Sequence, residues 1–277
     1  MTSLSILNAR LLDPASDYDG VGSVLIRDSR IVEVTRGAGG FDADQVIDAD
    51  GLCLAPGLID IRVKTGEPGA EPKETLKSAS QSAAAGGVTT IVIQPDTDPA
   101  IDDPAMIDFI QRRGAALGLV NVRAAGAATR ARDGKRMAEI GLMDEAGALY
   151  FTDGDRVIGD SRTLQRVMSY AAAFNALIAC RPADPFLVEG AVATSGELAT
   201  RLGLSAAPAI AERMGLERDL ALVEQTGARL LVDQISTAGA LEALARGRAR
   251  GLEVAASVSI NHLCFNEIDI GDYRTFY

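Results

Sequence analysis

The sequence predicts an α/β protein in which a small all-β segment precedes most of a (β/α)8 barrel. Three observations lead there. Residues 1–54 hold only short strand-like runs separated by turn residues. From Leu58 the pattern changes to strand, loop and helix, and then repeats. Seven such strands follow in succession, which suggests parallel pairing with right-handed crossovers. A closed barrel of this type has eight strands, so the eighth is expected to be missing. A doubly wound open sheet is the structural alternative. It would normally place a Gly-rich phosphate turn after its first strand, and Thr65-Gly-Glu-Pro-Gly69 is not G-x-G-x-x-G. The expected division is a β-sandwich-like domain over 1–54 and an incomplete barrel over 55–277.

In the first segment, Leu4–Asn8 reads as a strand, and Gly22–Arg27 and Arg30–Thr35 flank a hairpin turn at Asp28-Ser29. Gln45–Ile47 and Leu52–Leu54 add short strands. Leu58–Lys64 is read as a buried strand, followed by a helix from Pro72 to Ala85 that closes at Gly86-Gly87. Thr89–Gln94 is the next strand, and Asp102-Asp103-Pro104 opens a helix. Asn121–Ala125 leads to a weaker helix over Arg132–Ala146. Ala148–Thr152 leads to a helix from Ser161 with Leu164, Val167, Met168 and Ala171 on one stripe. Ala176–Cys180 is the fifth strand, and Thr194-x-x-Glu197 resembles a capping box. Helix Ala209–Gln225 ends at Gly227, strand Arg229–Ile235 follows, then helix Ala238–Arg250 and strand Gly251–Val258.

Composition narrows the function classes. A formal net charge of −11 argues against nucleic acid and anionic membrane surfaces as partners. No run approaches the roughly 18 apolar residues needed to span a bilayer. Cys53, Cys180 and Cys264 are far apart and form no C-x-x-C pair, which fits a reducing cytoplasm. His262 is the single histidine, so a zinc site built from several imidazoles is disfavoured before any motif is considered.

In a barrel, function sits where the strands end. Those ends carry Arg62 and Lys64, then Gln94 and Asp96, then Asp153 and Asp155, Arg181, Asp233 and Gln234, and finally Ser259 and Asn261. Arg62 and Lys64 alternate along one strand and therefore point to the same side. Two cations there either belong to a working site or occupy the place of a lost one. The set contains no Ser–His–Asp or Cys–His arrangement. Magnesium on Asp153 and Asp155 is conceivable, but carboxylates near cations more often form ion pairs.

Ala55–Gly69 resembles the "APGLIDxHxHLREPG" signature of dihydroorotases, members of the amidohydrolase superfamily. Ala83–Asp102 resembles "AAAGGxTTVVxMPNTxPxxD", Ala146–Gly154 resembles "AGAxxFSDDG", Ile235–Ala238 resembles "HVSTA", and Asn261–Leu263 resembles "PHHL". The resemblance implies an amidohydrolase-type barrel and a metal-activated water that opens a cyclic amide. It also implies which residues depart from the pattern. Arg62 and Lys64 stand at two metal-ligating histidine positions, Arg181 and Gln234 at two more. Gly66 stands where an arginine would hold the substrate carboxylate, and Asp96 where an asparagine would contact substrate. Only Asp153 matches a metal ligand, and His262 sits at a position that does not ligate.

The expectation is therefore a degenerate homologue with neither zinc nor any other cofactor. Arg62 and Lys64 would replace the metal charge and pair with Asp153 or Asp233. By resemblance to the non-catalytic subunit of bacterial aspartate transcarbamoylase, its role would be structural, within that enzyme or as a homo-oligomer. The rival expectations are an active zinc-dependent dihydroorotase, which opens dihydroorotate to N-carbamoyl-aspartate, and a small-molecule sensor using the old pocket.

Overall fold

The computed structural model describes residues 2–271, and the chain divides into two compact units, Met1–Leu58 and Ile59–Tyr277. The first unit holds β1 (Ser3–Asp13), β2 (Tyr18–Arg27), β3 (Arg30–Arg36), β4 (Gln45–Asp48) and β5 (Cys53–Leu54). They form one mixed sheet rather than two stacked layers. The reason is the length of β1, far longer than the expected Leu4–Asn8. It pairs antiparallel with β2 on one side and parallel with β4 and then β5 on the other. Asp28 and Ser29 both take positive φ, at 48° and 62°, the geometry a tight hairpin requires. Ala9, Leu11, Val24 and Ala49 make a small core.

The chain then supplies β6 (Leu58–Val63), α1 (Leu76–Ala85), β7 (Val88–Ile93), α2 (Pro104–Leu117), β8 (Asn121–Ala124), α3 (Ile140–Glu145), α4 (Ser161–Ala172) and β9 (Leu177–Cys180). After these come β10 (Ala193–Thr194), α5 (Glu197–Leu202), β11 (Ala206–Ala207), α6 (Ile210–Thr226), β12 (Arg229–Val232), α7 (Ala238–Ala249), β13 (Val254–Ala256) and α8 (Ile260–Cys264). The strands assemble as β6-β7-β8 and β9-β12-β13. Phe151 joins the two sheets through parallel bridges to Gly126 and Ile178. The order around the sheet is the order in sequence, as in a (β/α) barrel. Phe151 is fully buried, and its core neighbours include Ile91, Ile93, Met143, Leu164 and Ile178.

Several elements differ from expectation for identifiable reasons. α1 starts at Leu76, not Pro72, because Thr75 accepts from Ser78 N while Ser78 caps Thr75 N in return. The helix expected over Arg132–Ala146 shrinks to α3. Asp133 accepts from Lys135 N and Arg136 N, making a turn that diverts the chain. The strand expected over Ala148–Thr152 is reduced to the bridge at Phe151. Thr194 does not cap α5; it lies in β10, and Gly196 is the N-cap. β6 is not buried as expected: Leu58 and Ile59 are 62% and 64% exposed. No described helix is long and apolar enough to cross a membrane.

Asp219 is an exception within the core. It is 1% exposed on α6, pairs with Arg218 at 2.7 Å, and its Oδ2 has no hydrogen-bond partner among the described residues. Burial pushes its pKa up from 3.8 to about 6, against the pull of Arg218. A carboxyl raised in the folded state stabilises below its unfolded pKa, and that stability is lost as pH rises through the folded value.

Two outcomes follow from this packing. Phe151→Ala is expected to cost about 3–5 kcal/mol in urea unfolding, since it empties the joint between the sheets. Asp219→Asn is expected to flatten the fall in Tm between about pH 4 and pH 7, read by thermal melts across that range.

Candidate active site at the strand ends

Five charged side chains meet at the C-terminal ends of the strands. Arg62 is the penultimate residue of β6, and Lys64 follows the strand directly. Arg62 Nε donates to Asp233 Oδ2 at 2.8 Å, and its Nη2 donates to Asp155 Oδ1 at 2.6 Å. Lys64 Nζ donates to the other oxygen of Asp155 and lies 3.2 Å from Asp96 Oδ2. The result is an alternating chain, Asp233–Arg62–Asp155–Lys64–Asp96. Asp155 is its central member, with one oxygen on each cation.

The ionisation of the chain reflects these contacts. Burial lowers the pKa of Arg62, but hydrogen bonds to Asp233 and Asp155 outweigh it and the net direction is upward. Lys64 shows the same balance, with Asp155 as its main partner. Burial raises Asp155, yet Lys64 and Arg62 overcome that and bring it down from 3.8 to about 2. Arg62, Lys64 and Asp155 are thereby held in their charged forms near neutral pH.

A neutral network fixes the base of β6. Gln94 Nε2 donates to the Tyr150 hydroxyl at 2.6 Å, and that hydroxyl donates to Ile61 O. The peptide next to Arg62 is thereby tied to the ends of two neighbouring strands. Burial raises the Tyr150 pKa, so the hydroxyl keeps its proton. Ser257 donates to Asp233 Oδ1 at 3.2 Å and orients the other end of the chain.

Asp153 requires a correction. Of the two partners expected for Arg62 and Lys64, Asp233 does meet Arg62, whereas Asp153 is 2% exposed and bonds to neither cation. Its carboxylate accepts from Thr129 N at 2.9 Å and from the Thr129 hydroxyl. Gly154 explains the divergence. Its φ of 64° reverses the chain, so Asp153 faces inward while Asp155 reaches the cations. Burial raises the Asp153 pKa, partly offset by the bonds from Thr129.

The remaining departures occupy distinct places. Gly66 donates to Glu74 O and accepts from Ala70 N in a tight loop. A Cβ there would lie 1.9 Å from Ala70 O, so this loop has no space for the arginine that the resemblance expects. Arg181 is exposed and donates to Asp155 O at 3.2 Å. Gln234 has φ 63° and anchors its backbone N on Ser257 Oγ at 2.9 Å. Sequence reasoning placed Asp155 at a strand end without its bridging role, and it missed Tyr150. The D-G-D spacing holds a signal for the first, since a left-handed glycine sends flanking side chains apart.

These residues do not fit a catalytic zinc. Zinc takes neutral imidazole, thiolate or carboxylate ligands. Three of the four expected imidazole positions carry the fixed cations Arg62, Lys64 and Arg181, and the nearby carboxylates already serve the first two. At ~4 Å, a like-charge contact costs on the order of 4 kcal/mol per unit pair at an effective dielectric near 20. Among the described residues, no three His, Cys, Asp or Glu come together in a metal-holding group.

Comparison with known proteins places this geometry in context. A dihydro-orotase-like family model matches residues 51–240. A dihydroorotase of Anaeromyxobacter sp. (strain K) is 38% identical over 268 residues, covering 97% of this chain and 62% of the relative. A dihydroorotase-like protein of Pseudomonas aeruginosa is 36% identical over 275 residues, covering 99% of this chain and 65% of the relative. The L-hydantoinase (dihydropyrimidinase) of Arthrobacter aurescens superposes with a TM-score of 0.80 at 21% identity, covering 98% of this chain and 61% of that one. The two chains share a fold. The chain thus spans less than two thirds of the length of these relatives.

The charge chain has a graded signature. Asp155 is about half exposed, so Asp155→Asn is expected to cost only about 1 kcal/mol at neutral pH. A lowered carboxyl stabilises above its unfolded pKa, so the same change should remove the acid-limb loss between about pH 4 and pH 2. Asp233 is 7% exposed against a 15% exposed Arg62. Asp233→Asn is therefore expected to cost more, about 3 kcal/mol, in chemical denaturation at pH 7.

Proposed function

The chain belongs to the dihydroorotase-like family, and from that premise we propose that it has given up metal-dependent hydrolysis and serves as a structural protein of pyrimidine biosynthesis. The observation that carries this reading is the alternating chain from Asp233 to Asp96. Its cations stand where the family's pattern places imidazoles, and its carboxylates bind those cations. Hydrolysis of a cyclic amide needs an activated water. In the charge chain each carboxylate is paired with a cation, which leaves none of them unpaired to activate that water. The steric closure around Gly66 supports the reading independently, because it removes the arginine that would hold an anionic substrate.

In this reading the protein assembles in the cytoplasm with an aspartate transcarbamoylase-type subunit, or with further copies of itself. The resemblance to degenerate non-catalytic homologues supports the partner; the widely separated cysteines support the compartment. The competing reading is an active, zinc-dependent dihydroorotase. The name of the 38% identical Anaeromyxobacter relative favours it.

One preparation separates the two. The protein purified after co-expression with the transcarbamoylase of its own source is expected to contain negligible zinc, to leave dihydroorotate unchanged and to elute as a stable complex. Stoichiometric zinc together with turnover would establish the active enzyme. Elution of both proteins as separate species would remove the partnership.

A further inference from the structure

A cavity of about 490 Å³ opens beside the charge chain, between the ends of β9 and β12 and the segment that carries β10 and β11. Its volume lies within the range of small-molecule sites, roughly 300–1,000 Å³. Its polar lining divides into groups already engaged and groups with nothing to bind.

Both acids in the wall are engaged. Asp155 has one oxygen on Arg62 and the other on Lys64. Glu212 accepts from Ser236 N at 2.6 Å, from the Ser236 hydroxyl at 2.6 Å and from Thr237 N at 3.3 Å, at the start of α7. The backbone donors just ahead of that helix therefore meet a carboxylate supplied by the protein itself. Both acids are thus already served by donors that the protein supplies.

The unengaged groups are mostly donors. Arg181 uses a single N–H, on Asp155 O, and keeps the rest of its guanidinium fork. No hydrogen bond joins the Gln234 amide, the Thr194 hydroxyl or the His262 ring to another described residue, and all three line the cavity. Gln234 also holds a left-handed backbone, φ 63°, a conformation that a non-glycine residue keeps only where its surroundings impose it. Val188, Val192 and Pro208 form an apolar wall on the same cavity.

From this division of groups we propose that the cavity binds a small carboxylate with an aliphatic body. The carboxylate sits on the Arg181 fork, with the Gln234 amide and a ring N–H of His262 as further donors, and the aliphatic part packs on Val188, Val192 and Pro208. Planar bidentate geometry favours Arg over other cations for this anion. The site uses positions other than Gly66 and Asp96, where the dihydroorotase resemblance places its carboxylate contacts. It does not depend on any protein partner, so its failure would leave the scaffold reading intact.

Butyrate and its neutral isostere butyramide provide the test on the purified full chain. Saturation-transfer NMR and thermal melts at constant ionic strength are the readouts. Butyrate is expected to show saturable transfer from the protein and a concentration-dependent rise in Tm, with butyramide doing neither. Arg181→Met should weaken butyrate binding by about tenfold or more, the scale of a lost charge-assisted hydrogen bond. Arg181→Lys keeps the charge without the fork and should fall between the two. Arg166→Met, which removes an exposed arginine outside the cavity lining, should bind like the parent protein. Far-UV circular dichroism checks that each variant is folded. If Arg181→Met fails to fold, Gln234→Leu takes its place and should also weaken binding. Equal response to butyrate and butyramide, or undiminished binding in folded Arg181→Met or Gln234→Leu, would overturn the proposal.

Discussion

The carboxylate of Asp155 holds the strand ends together. Each of its oxygens meets a different cation, so Arg62 and Lys64, two like charges placed on the same side by the strand alternation, can stand side by side. Without it the two cations would repel across a partly dry site. Through Arg62 the same carboxylate reaches Asp233 on the far side of the sheet, and through Lys64 it reaches Asp96 after β7. Four separate segments are thereby linked by one chain of ion pairs.

That chain is better understood as a device for geometry than as a source of stability. Its members range from nearly buried Asp233 to half-exposed Lys64 and Asp155. Desolvation offsets much of the attraction at the buried end, and solvent screens it at the exposed end. Stability comes instead from the apolar layer below, where Phe151 bridges the two half-sheets and shares one buried core with Ile91, Ile93 and Ile178. The Gln94–Tyr150–Ile61 network lies between these layers and transmits the position of the core to the base of Arg62.

The same arrangement changes what the strand ends can bind. Internal cations satisfy the acids near β6, and the start of α7 satisfies Glu212. The donors left over, on Arg181, Gln234 and His262, sit on the other side of Asp155 and share one cavity. The net charge of −11 conceals this local surplus of donors, because most of the acidic groups lie elsewhere on the surface or are already paired.

Much of the barrel unit was legible in the sequence because its signals are local. Short apolar runs marked β6, β7, β8, β9, β12 and β13, Pro104 after Asp103 marked the start of α2, and Gly227 marked the end of α6. The helix starts at Leu76 and Ile140 were not legible, since reciprocal capping and an Asp133 turn override the apolar period. The composition of the site was legible too: Arg62, Lys64, Gly66, Asp96, Arg181 and Gln234 could all be named in advance. Its pairing was not. Which of two aspartates, Asp153 or Asp155, would meet the cations depended on the left-handed turn at Gly154 and on Thr129, a residue 24 positions away that captures Asp153. The sequence by itself determined which residue types stand at the strand ends, where Arg62, Lys64, Arg181 and Gln234 take the places of imidazoles in the family pattern. Only the tertiary structure decided which charges meet, because hydrogen-bond partners across a sheet are set by distances between segments remote in the chain.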